Sequence, residues 1–312
     1  MYPYQPEGSL AFSMDNQEYL SSRQGLERAM EKQKILEAVA QLCDGDFSLR
    51  FDLGCMAGIM PREEVALTRP GEEIKDIAVL TRVGKPVCFK VVGFSRTPEG
   101  ELCALLSRRA AQLECMQNYI SRLIPGDIIP AGVTHLENFG AFVDVGCGII
   151  SLLSIDCISV SRISHPSERF SVGDDIFCVM KCRDAKGRMY VSQRELFGSW
   201  EENAAKFSQG QTALGIVRSV ESYGVFVELA PNLAGLAEYR ADVKEGQSAA
   251  VYIKSILPDK MKIKLIIIDA TSAPPYRAPT QYFIDPEKTE HIDSWLYSPP
   301  GAKRRIETVF AT

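Results

Sequence analysis

The stretch Gly132-Val-Thr-His-Leu-Glu-Asn-Phe-Gly-Ala-Phe-Val-Asp-Val-Gly146 decides how the rest of the chain is interpreted. Apolar and polar residues alternate on both sides of Gly140, which predicts two short strands, and a glycine inside such a pattern indicates a sharp bend. Phe139 and Phe142 flank the bend, so both rings can reach one exposed face and form a stacking platform for unpaired bases. Because aromatic residues also favour strands for packing reasons, burial of one or both rings in the core is the alternative.

The residues that follow carry further strand and turn signals. After Gly148 an apolar run is followed by a polar connector over 161–170, and two more runs cover 172–182 and 184–192. Together with the opening stretch they make five short strands with a connector between the third and the fourth. This order and size predict a small Greek-key barrel.

Three segments of this region resemble a known family. FGAFVDVG at 139–146, VGDDI at 172–176 and KGRMYVS at 186–192 closely resemble the S1 domain, the RNA-binding module named after the largest protein of the bacterial small ribosomal subunit. The resemblance implies an OB-fold barrel that binds single-stranded RNA. It is strong for the central module, good for a third module and poor for a first one.

The pattern recurs on both sides of the central module. In the third copy Tyr223 and Phe226 take the places of Phe139 and Phe142, whereas in the first copy Ser48 replaces the bend glycine and Arg50 the second aromatic residue. We therefore expect a mainly β protein with three tandem five-stranded OB-fold barrels, a helical N-terminal segment and helical linkers. The predicted divisions are an arm and N-terminal helix (1–42), a degenerate S1-like domain (43–110), a helical linker (111–122), an S1 RNA-binding domain (123–197), a linker (198–206), a second S1 RNA-binding domain (207–270) and a tail rich in proline and aromatic residues (271–312).

Some segments allow more than one interpretation. Residues 17–42 are helical in character, but 35–43 suit a first strand equally well. Trp200 is interpreted as a packing anchor between modules. In the tail, Ala273-Pro-Pro-Tyr-Arg-Ala-Pro279 cannot continue a helix or a sheet. The aromatic residues beyond it predict either packing on the last barrel or a short two-stranded element.

The resemblance also implies which residues contact RNA. In the family, RNA crosses the second and third strands and contacts two aromatic residues, a histidine at the end of the third strand, and an aspartate and an arginine around the last turn. The histidine is replaced by Ser151 in the central copy and by Glu238 in the third, and Pro258 stands at the aspartate position there. The predicted RNA-binding residues are Phe139, Phe142, Lys181, Arg183, Asp184, Arg188, Tyr223, Phe226 and Lys262, with His135, Arg162 and Arg218 as secondary candidates.

Composition narrows the function. The net charge of −5 means that RNA affinity must come from local cations and stacking rather than from the field of the whole protein. None of the three histidines lies in a catalytic or metal-binding motif, both phosphate-binding glycine motifs are absent, and the nine cysteines lack a Cys-x-x-Cys pair. We expect a non-enzymatic protein without cofactor or metal.

The expected location is cytoplasmic, because the start of the chain lacks the features of a signal peptide and no apolar run is long enough to span a bilayer. The expected function is binding of single-stranded RNA, as mRNA in translation, with the ribosomal small subunit as a partner. The alternative is a protein-interaction scaffold on the ribosome, or on an RNA-decay or transcription complex, with little RNA affinity.

Overall fold

The computed structural model describes residues 4–68, 71–97, 100–272 and 281–310. Its described part is mainly β and forms three closed five-stranded barrels in succession, which confirms the predicted fold class. Short helices precede the first barrel and lie between the barrels. The proline-rich residues 273–279 of the tail fall outside the described residues.

The first barrel begins earlier in the sequence than predicted. The segment 17–42 was expected to be helical, with 35–43 as a possible first strand; it contains the end of one short helix, all of a second and most of the first strand, and a serine hydroxyl caps each helix. The barrel therefore starts at Leu36 rather than at residue 43, and its strands close in the order β1-β2-β3-β5-β4. The elements are α1 (Met14–Leu20), α2 (Arg23–Glu31), β1 (Leu36–Cys43), β2 (Leu49–Asp52), β3 (Ala57–Met60), α3 (Asp76–Leu80), β4 (Pro86–Arg96), β5 (Leu102–Ser107) and α4 (Arg108–Asn118).

The central barrel contains the stretch from Gly132 to Gly146. Its strands are β6 (Ile128–Glu137), β7 (Gly140–Asp144), β8 (Ile150–Ser154), β9 (Asp175–Arg183) and β10 (Met189–Ser192). They close in the order β10-β8-β7-β6-β9, so β7 lies between β6 and β8. The connector between β8 and β9 includes single 3-10 turns at Ile155–Cys157 and Pro166–Glu168.

The third barrel repeats this arrangement with a shorter connector. Its elements are α5 (Trp200–Ala204), β11 (Thr212–Glu221), β12 (Gly224–Ala230), β13 (Leu233–Ala237), β14 (Ser248–Leu257) and β15 (Lys262–Thr271). The strands close in the order β11-β12-β13-β15-β14. Trp200 is buried in the core of this barrel, as expected of a packing residue.

The tail forms a two-stranded element and also packs on barrels, so both interpretations of it hold. β16 (Ser294–Leu296) pairs with β17 (Glu307–Val309). Trp295 and Tyr297 join the core of the third barrel. Phe310 instead packs with residues of the central barrel, where Tyr282 also lies.

The described chain divides into two compact units. The first holds the residues up to Leu123 with Pro130–Gly132 and Asp144–Ile150, and the second holds Ile124–Ile129, Val133–Val143 and the residues from Ser151 on. Among the described residues, no helix has the length and apolar character needed to cross a membrane.

In the second unit, buried Asn232 connects segments that are far apart in sequence. Its Oδ1 accepts a hydrogen bond from the Val160 N–H, and its Nδ2 donates to the carbonyl oxygens of Arg194 and Gly198. Its own carbonyl oxygen accepts from the Tyr297 hydroxyl. Because these groups are buried, losing one partner leaves others unsatisfied, so Asn232 holds the β8–β9 connector, the third barrel and the tail together.

In the first unit, Glu7 provides the corresponding link. Arg108 donates to both of its carboxylate oxygens, at 2.6 and 2.9 Å, and the side chains are only 6% and 8% exposed. The Glu7 N–H donates to Asp144, and its carboxylate also accepts from the Cys88 N–H. Burial opposes ionisation of Glu7, but Arg108 and Arg82 outweigh it and hold the pKa of this carboxyl below its usual value.

A second buried carboxylate in this unit predicts a pH effect on stability. Oε2 of Glu37 accepts from the N–H groups of Gly8, Leu10 and Ala11, while Oε1 has no partner among the described residues. Burial, reinforced by Glu7, raises the pKa of Glu37 to about 7 against the backbone hydrogen bonds. The folded state therefore binds more protons than the unfolded state between about pH 4.5 and 7, and stability falls as the pH rises through that range.

We expect the Glu37→Gln variant, which keeps the acceptor and cannot ionise, to match the wild type at pH 5 and to exceed it at pH 8. The gain at pH 8 should be up to about 3 kcal/mol in the free energy of unfolding. Urea denaturation followed by far-UV circular dichroism at both pH values measures it. Equal stabilities at pH 8 would contradict a raised pKa.

Candidate nucleic-acid interface

The central barrel presents three rings on one face. Phe139 lies in the β6–β7 turn and is 55% exposed, and Phe142 on β7 is half-buried. Their centroids are 6.0 Å apart with the planes at 89°. His135 on β6 is exposed and lies nearly parallel to Phe142, at 6.2 Å and 26°. Neither phenylalanine is a core residue, so the packing alternative is wrong.

Gly140 shapes this face. A Cβ there would lie 2.4 Å from the carbonyl oxygen of Leu153 and 3.0 Å from the Cα of Ser154. Only glycine lets the bend approach the end of β8 this closely. The Ile155 N–H then donates to the Phe139 carbonyl oxygen at 2.9 Å, which fixes the turn that displays the Phe139 ring.

The same close approach corrects one assignment from the sequence. In the third barrel a Cβ on Gly224 would lie 2.5 Å from the carbonyl oxygen of Ala237, so Ala237 corresponds to Leu153 and Glu238 to Ser154. Ser151, assigned to the family's histidine position, is buried and donates to the Met189 carbonyl oxygen. Ser154, and not Ser151, is therefore the equivalent of Glu238, the residue assigned to that position in the third barrel. The sequence already contained a signal for this equivalence, because Ser154 follows Phe142 at the same spacing as Glu238 follows Phe226.

Polar candidates lie around the β9–β10 turn of the central barrel. Arg188 donates to Asp184 at 2.6 Å, and Asp184 also accepts from the N–H groups of Lys186 and Arg188. Lys181 is the bulged residue of β9 and its Nζ lies 3.1 Å from Sγ of Cys157. Arg183 ends β9, and Arg162 is exposed in the connector.

Arg218 is not available for RNA. Its side chain is 7% exposed, and it forms ion pairs with Glu168 and with Glu228, at 2.8 Å to the latter. Arg169 pairs with the same Glu228 at 2.5 Å. The prediction of Arg218 as an RNA contact is therefore wrong, because Glu168 of the β8–β9 connector and Glu228 of the neighbouring strand β12 neutralise it and its side chain is buried.

The third barrel repeats the aromatic pair. Tyr223 is 68% exposed, and its ring meets that of half-buried Phe226 at 6.2 Å and 85°. Ser219 pairs with Phe226 on the neighbouring strand. Lys262 is exposed at the start of β15, and Glu238 is exposed just after β13. The platform is therefore smaller than that of the central barrel and has a carboxylate nearby.

Among its described residues, the first barrel has no comparable platform. Arg50, at the second aromatic position, is paired with Asp44 at 2.6 Å. Phe47 is half-buried, and the guanidinium of Arg62 lies 4.8 Å from the centre of its ring. The groups at the platform positions of this barrel are therefore already occupied by intramolecular partners.

Comparison with known families agrees with this geometry. Residues 122–194, which contain the five strands of the central barrel, match the model of the S1 RNA binding domain. The central barrel is an S1 domain. The resemblance noted in the sequence is thereby confirmed for the central barrel.

Among curated proteins the chain is similar to small ribosomal subunit proteins bS1. It is 28% identical to that of Rhodopseudomonas palustris over 236 residues, which are 73% of this chain and 40% of the relative. The protein of Leuconostoc lactis is 30% identical over 53% of this chain and 39% of its own length. That of Mycobacterium tuberculosis H37Rv is 26% identical over 84% of this chain and 53% of its own length. The chain thus spans about half or less of the length of these relatives.

Solved structures are similar to this chain, but only weakly. A multidomain protein with nucleic acid binding domains from Streptococcus pneumoniae aligns over 75% of this chain and 73% of its own, with 15% identity and a TM-score of 0.24. At this TM-score no similarity between the whole chains is inferred.

Proposed function

We propose that this protein is a non-enzymatic binder of single-stranded RNA that captures mRNA in translation in the cytoplasm, with the small ribosomal subunit as a partner. The observation that carries the proposal is the aromatic pair displayed at the same bend in two barrels. Similarity to small ribosomal subunit proteins supports the ribosomal setting.

Binding relies on stacking with local charge in support. The two rings of each pair meet edge to face, so each offers a separate π-face to a base. His135 extends the central platform on the other strand. Stacking is worth about 1–3 kcal/mol per base and tolerates any base, which predicts low sequence specificity. The Asp184–Arg188 turn supplies a guanidinium that can reach a phosphate.

A protein-interaction scaffold is the second candidate function. It is favoured by the first barrel, where the platform positions are taken up by the Arg50–Asp44 and Arg62–Phe47 contacts. It is also favoured by exposed Glu238, which repels phosphate next to the third platform. Under this alternative the first barrel contacts protein and RNA affinity is small.

An oligonucleotide series tests the proposal on the full chain. The probe is a labelled single-stranded RNA of about a dozen nucleotides, a length suited to OB-fold sites. The controls are an abasic strand with the same number of phosphates and a duplex of the same length, each at two salt concentrations. We expect the single strand to bind most tightly, and the abasic strand to lose about tenfold or more in affinity because no base can stack. Absence of binding at low salt, or equal affinity for the abasic strand, would overturn the proposal.

A further inference from the structure

Three lysines form a strip beside the platform of the third barrel. Lys262 and Lys264 point outward on β15, and Lys254 is the bulged residue of the neighbouring strand β14. Phe226 pairs with Leu236, and Leu236 pairs with Lys264, so one row across three strands leads from the aromatic pair to the strip. Two strand spacings separate the ends of this row, which is about 10 Å.

The lysines of the strip have no partner within the described ranges. No ion pair or hydrogen bond of their side chains occurs there, whereas Lys34 and Lys90 pair with Asp15 and Glu114. Glu238 and Asp259 border the strip, but neither forms an ion pair with it within 4.0 Å. Like charges on neighbouring strands destabilise a sheet, and here they occur in a chain with a net charge of −5. A strip of this kind is suited to an anionic ligand.

The corresponding positions of the central barrel are built differently. Tyr190 pairs with Leu152 as Lys264 pairs with Leu236. The bulged residue there is Lys181, whose ammonium group lies against Sγ of Cys157. The two barrels thus have equivalent aromatic pairs, but only the third continues its platform with unpaired cations among the described residues.

We propose that Lys254, Lys262 and Lys264 bind successive phosphates of an RNA strand whose bases contact Tyr223 and Phe226. The inference rests on the proposed RNA binding, and it assigns a different type of RNA contact to each of the two barrels. The central barrel holds bases mainly by stacking, and the third holds the backbone mainly by charge. Cationic contacts compensate for the smaller platform and for the repulsion by Glu238.

Substitution of the strip tests this inference in the full chain. The variant Lys254→Gln/Lys262→Gln/Lys264→Gln removes three charges and keeps the side-chain length. The control Lys75→Gln/Lys85→Gln/Lys244→Gln changes the net charge equally at exposed lysines outside β14 and β15. The probe is the dozen-nucleotide RNA, titrated over a range of salt concentrations.

We expect the strip variant to bind about tenfold more weakly than the control variant at low salt. Its slope of log affinity against log salt should be shallower by about 2, since each phosphate contact on a single strand contributes about 0.7. A variant with arginine in place of lysine at the same three positions keeps the charges, so it should keep the wild-type affinity and the wild-type salt slope. Equal affinity and equal slope for the strip and control variants would overturn the inference while RNA binding itself stands. If the wild type fails to bind, the proposed function falls and the inference falls with it.

Discussion

The double variant Phe139→Ala/Phe142→Ala is expected to lose most of the affinity for single-stranded RNA. Each ring stacks with a base for about 1–3 kcal/mol, so losing both costs about 2–6 kcal/mol of binding free energy. This is a loss of about thirtyfold at the least. The effect should persist at high salt, because stacking, unlike a phosphate contact, does not depend on released counterions.

A matched variant shows whether the loss is specific. Phe12 and Tyr239 are exposed aromatic residues outside both platforms, so Phe12→Ala/Tyr239→Ala should bind RNA like the wild type. The third-barrel variant Tyr223→Ala/Phe226→Ala should lose less than the central one, since Glu238 already weakens that platform. Titrations by fluorescence anisotropy measure all four proteins. Comparable losses in the central and the Phe12/Tyr239 variants would count against the platform.

The variant Glu7→Gln is expected to lower the stability of the first unit by about 3–5 kcal/mol. Arg108 would keep its buried position without a neutralising charge, and removing one partner of a buried ion pair has a cost of this size. Since the pKa of Glu7 lies below its usual value, the carboxylate contributes its stability from mildly acidic pH upward and loses it only as the pH falls through that lowered pKa.

Two optical probes separate this effect from general unfolding. The chain has two tryptophans, and Trp200 and Trp295 both lie in the core of the third barrel. In urea denaturation, Glu7→Gln should shift part of the circular dichroism transition to lower urea and leave the tryptophan fluorescence transition in place. Glu18→Gln, which removes an exposed ion pair with Arg28, should change stability by less than about 1 kcal/mol. An unchanged dichroism transition for Glu7→Gln would contradict the structural role assigned to the pair.

The features that the sequence predicted well are those set by local chemistry. Strand alternation and the glycine at position 140 defined the bend, and the spacing of Phe139 and Phe142 placed two rings beside it. These depend on residues close together in sequence, where backbone sterics and side-chain periodicity decide the outcome. The repeat in the third barrel then followed from the same local pattern.

The sequence-based predictions were wrong where contacts with residues distant in sequence determine exposure or secondary structure. Arg218 looks like an exposed strand residue in the sequence, but in the structure its side chain is buried in ion pairs with Glu168 and Glu228. Residues 35–43 suited helix and strand equally, and pairing with β4 selected the strand. Ser151 and Ser154 are both small polar residues of one strand, and the close approach of Ser154 to Gly140 agrees with the spacing from Phe142 in separating the two.

The buried amide of Asn232 bears on how one RNA molecule would engage two barrels. With the β8–β9 connector, the third barrel and the tail held by the same side chain, no freely jointed spacer separates the two platforms. Once an RNA is bound at one platform, its effective concentration at the other is then set by the fixed distance between them rather than by the length distribution of a flexible linker. Affinity should accordingly rise in one step once the RNA is long enough to reach from Phe139 to Tyr223, and gain little from further length.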